Sequence, residues 1–234
     1  MLRPIHWLGS SLDDIRAMPE DARRDIGVEL TLVQGGDLPT DWKPIRGVGA
    51  GVMEIRIHRP GEFRVIFVAK FAEAVYVLHA FGKKTQKTPK ADLDLAKRRY
   101  AQMRPAAGQA VNASRKKGIP MPRNSTITKR KVTKPDRRRT TKANGNVFVD
   151  LGFAPLESAS LQLRARLMAE LIRIVRSRKL TQAAAARLLG VSQPRVSDLM
   201  RAKVDKFSSD ALVEMLALVG IELEVTPHAT RRVA

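Results

Sequence analysis

Two stretches of this chain combine residue types and spacings that can do chemistry. The first is His79-Ala80-Phe81-Gly82-Lys83-Lys84-Thr85-Gln86-Lys87-Thr88-Pro89, which sets three lysines within five residues at the exit of a strand-like run. Arg64 and Arg56 fall on the two preceding strand-like runs, so one sheet joining all three would gather these cations on a concave face. Cleaving an RNA phosphodiester calls for few parts: a group that takes the 2′-hydroxyl proton, cations around the crowded phosphate, and a proton for the leaving oxygen. Positioned charge is often the largest of these contributions. Repulsion among neighbouring lysines also lowers the pKa of one of them toward that of a usable base. His58, His79 and Tyr100 are further acid–base candidates. The competing account is a solvated charged loop, with the histidines packed on strands for structural reasons.

The second stretch is 181–200. Thr181 is placed to cap a helix that Gln182 opens, and Ser192 to cap the next, which carries Pro194 in its first turn. Gly190 permits the tight turn between them. Ala186 is small enough for the helices to cross closely, and Val196 and Leu199 point back into a core. Gln193, Arg195 and Ser197 are left facing outward at the start of the second helix, the end that enters the major groove in a helix-turn-helix. Gln can bond adenine through N6 and N7, and Arg can bond guanine through O6 and N7. Gln182 falls near the phosphate backbone, and Ser192 completes the candidate DNA-binding set.

Elements must hold these groups. Apolar residues recur at helical spacing over 12–33, with Pro19 dividing two helices and Gly35-Gly36 ending the second. Strand-like runs follow at 51–58, 62–71 and 74–81, the first two joined by Arg59-Pro60-Gly61 as an antiparallel hairpin. Strict alternation over 53–58 shows Glu54, Arg56 and His58 on one face. A polar helix covers 91–103. The C-terminal region is helical at 161–178, 182–189, 193–201 and 209–219, ending in a strand-like 222–226.

The chain has 234 residues, 44% of them hydrophobic, which is enough for packed cores. It has no cysteine, which removes disulfides, thiolate metal sites and cysteine nucleophiles. Its four histidines (His6, His58, His79 and His228) lack ligand-pair spacing, so no metal and no cofactor is expected. There is no run of ~18 apolar residues to cross a membrane, and the N-terminus lacks the apolar core of a signal peptide; a cytoplasmic protein without a membrane partner is expected. The formal net charge is +20, of which residues 105–145 carry +11. Such a field favours nucleic acid. With like charges and few large apolar residues, 105–145 reads as a flexible linker holding at most a short strand near 125–132.

Residues 181–200 resemble the Xre/Cro-type helix-turn-helix, and 145–226 is similar to a HigA-type antitoxin, including the lead-in Asn144-Gly145-Asn146-Val147-Phe148-Val149-Asp150-Leu151-Gly152-Phe153. Residues 1–104 resemble RelE/HigB-type toxins of the phage-derived Gp49-like branch. That likeness is carried by 52–57, 63–68 and above all Lys83-Lys84-Thr85-Gln86-Lys87-Thr88-Pro89. It implies an α+β toxin domain at 1–104 (two N-terminal helices, a small antiparallel sheet, a C-terminal helix), the linker at 105–145, and an all-α helix-turn-helix domain at 146–234. It also implies metal-independent cleavage of mRNA, usually on the translating ribosome, with Arg64, Lys83, Lys84, Lys87 and Arg56 as phosphate-binding and catalytic candidates. The resemblance does not assign the acid or the base. The implied partners are operator DNA, mRNA and the ribosome, a toxin–antitoxin contact within or between chains, and a second copy in a homodimer. A linker of ~40 residues would hold the two halves at about millimolar effective concentration, with toxicity following proteolysis in the linker. A DNA-binding regulator with an inactive first domain remains the alternative.

Overall fold

A computed structural model describes residues 2–83, 88–103 and 140–224. The chain runs β1 (Ile5–Leu8), α1 (Ser11–Arg16), α2 (Glu20–Gln34), β2 (Trp42–Pro44), β3 (Val52–Arg59), β4 (Gly61–Val68), β5 (Val75–Gly82) and α3 (Lys90–Gln102). It continues with β6 (Thr140–Lys142), α4 (Val147–Asp150), α5 (Pro155–Ser177), α6 (Gln182–Leu188), α7 (Gln193–Met200), a 3-10 turn (Val204–Lys206) and α8 (Ser209–Leu218). The architecture is an α+β region followed by a helical one, as the sequence implied.

The sheet order is β2-β3-β4-β5-β1-β6. β3, β4 and β5 form the expected antiparallel meander, closed at Gly61, whose φ of +96° suits glycine. The sheet as a whole is mixed, which corrects the antiparallel expectation: β1 lies parallel to β5, with Ile5 opposite Val75. Alternation sends Ile55, Ile57, Val65 and Val77 to one core under α2, and Ile66, Val68 and Leu78 to another under α3.

Of three further expectations, one is extended and two change. The helical spacing over 12–33 predicts helix α2 without saying how much of it is covered, and it is buried on every side from Asp25 to Gln34. One side rests on the sheet and the other lies beneath α4 and α5, where an added Cβ on Gly27 would stand 2.4 Å from the Phe148 ring. The end of the stretch read as linker forms β6, antiparallel to β1 (Lys142 opposite His6, Thr140 opposite Leu8). All three β6 residues are exposed, so the backbone alone makes that pairing. Residues 222–224, expected to begin a strand, have no strand conformation; 225–226 and the strand expected near 125–132 lie outside the described residues. Among the described residues, no helix is long and apolar enough to cross a membrane.

Candidate functional site

The register of the meander sets out one charged face. Arg56 pairs with Arg64, which pairs in turn with Phe81; His58 pairs with Glu62, and the Lys83 amide donates to the Glu62 carbonyl at 2.6 Å. Glu54 lies one step further along the same face, beside Lys43 of β2. This is the face opposite α2.

Five of these side chains, together with Asp41 beside β2, close a ring of alternating charge. Arg64 Nη2 donates to Glu62 at 2.7 Å. His58 Nδ1 meets the other Glu62 oxygen at 2.8 Å, and its Nε2 meets Asp41 at 2.7 Å. Asp41 lies 3.6 Å from Arg56, Arg56 3.8 Å from Glu54, and Glu54 3.5 Å from Arg64. Lys43 adds a seventh charge, 3.3 Å from Glu54. Two carboxylates facing both ring nitrogens favour the imidazolium, so the His58 pKa is raised, chiefly by Glu62 and then by Asp41. The Glu62 carboxyl is correspondingly held low by His58 and Arg64. Glu54 is fully buried and the Arg64 side chain is 6% exposed, whereas His58 is 55% exposed. The ring thus has a fixed floor and an open rim.

Of the expected catalytic set, the structure brings Arg56, Arg64 and Lys83 to one face, while Lys84 and Lys87 lie outside the described residues. The cations are not the uncompensated cluster that the spacing suggested, because Glu54, Glu62 and Asp41 neutralise them. His79 is buried, with Nε2 2.8 Å from Asp92 and Nδ1 3.3 Å from Asp14, and so ties α3 and α1 to the sheet. Tyr100 donates to the Ala50 carbonyl at the opposite end of the strands. Sequence reasoning missed Lys43 and Asp41 because they lie on or beside β2, a three-residue strand without alternation. It missed Glu62 although that residue stands two before Arg64 on the same face. It also missed Phe81, whose ring stacks on His79 at 5.4 Å. Among the described residues, no group of three or more histidine, aspartate or glutamate side chains is placed to hold a metal.

The second constellation lies on α6 and α7. Thr181 Oγ1 accepts from the Ala184 amide at 3.2 Å, capping α6. Gly190 turns the chain with φ +64°, and Val196 and Leu199 are fully buried. Gln182, Ser192 and Gln193 are exposed and Ser197 is half-buried. Arg195 lies over the Phe207 ring, 4.3 Å from its centre.

The helical region docks on the far side of α2. Trp7 Nε1 donates to the Asp150 carboxylate at 3.2 Å, while Arg16 and Arg23 donate to the Asp150 and Leu151 carbonyls at 2.6 and 2.8 Å, closing the C-terminal end of α4. Arg173 forks onto Asp37 at 2.8 and 3.1 Å. Arg59 grips Asp25 at 2.6 and 2.7 Å and reaches Asp205 at 3.4 Å. Burial raises the Asp150 carboxyl. A cleft of about 540 Å³ opens at this boundary, where Arg201 and Lys203 of the helical region share a rim with Arg56 and His58. Glu29 lines it, its pKa pushed up to about 7 by burial against the lowering effect of its Thr40 donors.

Residues 13–101 match the family model described as phage-derived protein Gp49-like, and residues 147–226 match that of a helix-turn-helix domain. No curated protein matches the chain.

Proposed function

We propose that this chain, a toxin–antitoxin-like fusion of a Gp49-like domain of the RelE-like toxin family with a helix-turn-helix DNA-binding domain, carries an mRNA endoribonuclease in its first half. The second half restrains that activity, binds operator DNA and represses its own promoter. The observation that carries the nuclease reading is the Arg56–Arg64 pair across β3 and β4 with an exposed His58 on the same face. In this reading Arg64 is the buried anchor, and Arg56, Lys43 and Lys83 gather the scissile phosphate; Lys84 and Lys87 extend that set, as the family likeness implies. The 2′-hydroxyl gives its proton to water as its oxygen bonds to phosphorus and forms a 2′,3′-cyclic phosphate; the P–O5′ bond breaks, and the imidazolium of His58 supplies the proton that the departing 5′-oxygen takes up. The natural substrate is mRNA on the translating ribosome, and the compartment is the cytoplasm.

The helix-turn-helix reads an operator through Gln193, Arg195 and Ser197, with Gln182 and Ser192 at the backbone, and paired half-sites call for a homodimer. Arg195 must swing off Phe207 to reach a base. Domain limits of 1–104 and 146–234 serve this reading, with β6 as a strand of the joining segment that the first domain's sheet captures. Restraint acts at the sheet edge, where Arg201 and Lys203 narrow the approach to Arg56 and His58. Proteolysis within 104–139 alone does not free the nuclease, because β6, α4 and α5 stay docked; release requires removal of the helical region itself.

The closed charge ring favours one other reading, a DNA-binding regulator whose first domain is an inactive interaction module. Growth after inducing residues 1–104 alone, beside the full chain and 1–104 co-expressed with 121–234, decides between them. Arrest by the fragment only is expected; a fragment that is folded, expressed and harmless refutes the enzyme.

A further inference from the structure

The charge ring is built unevenly, and its unevenness points to how the site is loaded. Glu54 is fully buried and faces Lys43, Arg56 and Arg64 from below. Glu62 and Asp41 are 44% and 41% exposed and stand on either side of the His58 ring. Resting on the nuclease reading above, we propose that Glu62 and Asp41 hold the places of two substrate phosphates, and that single-stranded RNA binds by displacing them from His58, Arg64 and Arg56.

Carboxylate and phosphate oxygens present the same acceptor geometry to a guanidinium fork or an imidazolium. The rim pairs are solvent-exposed and therefore weak, whereas the Glu54–Arg64 floor stays in place during any exchange. Displacement keeps the charge balance: two carboxylates swing into water as two phosphodiesters, each carrying one negative charge, take over three cations. A protein without RNA thus carries a compensated site that other anions enter only by the same exchange. The arrangement selects a ligand with two linked anions over a single one, since one phosphate would release only half of the rim.

The test uses the full chain with ¹³C-labelled histidine and an RNA tetranucleotide without terminal phosphates, read at the His58 ring resonance so that binding elsewhere on the basic chain does not contribute. The measurement is made near pH 5, well below the ordinary imidazole pKa of about 6.5. The His79 resonance, fixed between Asp14 and Asp92, reports that the sheet is intact. Glu62→Gln and Asp41→Asn should each tighten binding at His58 by roughly two- to fivefold, and Arg56→Gln should weaken it. Unchanged or weaker binding in both carboxylate variants overturns the proposal; if Arg56→Gln still weakens binding, the nuclease site itself stands. A tetranucleotide that moves no His58 resonance in any variant removes both. Tighter binding of the matching deoxytetranucleotide overturns the assignment to RNA.

Discussion

Gly27 sits in the middle of α2 with ordinary helical backbone, so replacing it with alanine tests the docking of the two regions almost in isolation. In the first domain alone, the change should stabilise the helix by about 0.5–1 kcal/mol, because glycine loses more backbone entropy on folding. That gain is the same whether the helical region is docked or not, and it cancels in the docking equilibrium. The added Cβ, however, would lie 2.4, 2.8 and 3.0 Å from three carbons of the Phe148 ring. Phe148 is fully buried and braced edge-on by Phe153, their centres 6.0 Å apart, so the ring cannot retreat and α4 must lift. Overpacking of this kind costs about 1–3 kcal/mol, which weakens docking roughly 5- to 150-fold. The assay introduces a specific protease site near residue 120, cuts the chain, and measures dissociation of the two pieces by sedimentation. The wild-type pieces should remain associated, and the Gly27→Ala pieces should separate at higher concentration. A double-mutant cycle closes the argument: with Phe148→Ala already present, Gly27→Ala should cost nothing further. An unchanged dissociation constant for Gly27→Ala, or the same loss in both backgrounds, refutes the contact as the cause.

Other outcomes follow from groups already described. Glu29 has its pKa raised from 4.5 to about 7, so stability is fully present below pH 4.5 and is lost as pH rises through 7, by roughly 3 kcal/mol in total. Glu29→Gln should flatten that slope in denaturant melts at pH 5 and pH 8, and parallel wild-type and variant curves would contradict it. Arg64→Gln should destabilise the fold by about 3 kcal/mol, because it strips a buried partner from Glu54. Arg56→Gln, at a side chain 34% exposed, is therefore the cleaner probe of catalysis: RNA cleavage should fall while melting and operator affinity stay near wild type. Gln193→Ala should cost about 1–3 kcal/mol of discrimination at one operator position in competition binding, and equal loss on every sequence would mean a backbone contact instead.

The helix-turn-helix was legible because its signals are local. Gly190, the Ser192–Pro194 start and the inward pair Val196 and Leu199 lie within ten residues and depend on no distant partner. The meander was legible for the same reason, through the alternation around Arg56 and the turn at Gly61. β1 and β6 were not, since β1 has four residues and pairs with β5 some seventy positions away, and β6 contributes no apolar side chain. The charge ring was half legible. Alternation placed Glu54, Arg56 and His58 on one face, but the rim carboxylates Glu62 and Asp41 come from a cross-strand register and from beside a strand too short to show a period. Helix α2 did carry an unread signal: the run Ile26-Gly27-Val28-Glu29-Leu30-Thr31-Leu32-Val33 is apolar on more than one side. A helix of that kind needs two covers.

Both covers of α2 belong to one polypeptide, but they are not made together. The five strands β1 to β5 that take its inner side have all been made once β5 is synthesised, whereas α4 and α5, and the β6 strand that closes the β1 edge, come later. At about 5–20 residues per second, the 74 positions from 104 to the end of α5 at Ser177 take roughly 4–15 s to translate. For that interval the outer side of α2, with Gly27 at its centre, faces water on a chain still attached to its ribosome. Guarding is in this sense a late event in the life of each molecule, and codon usage or pausing within those 74 positions sets how long the first domain spends unattended.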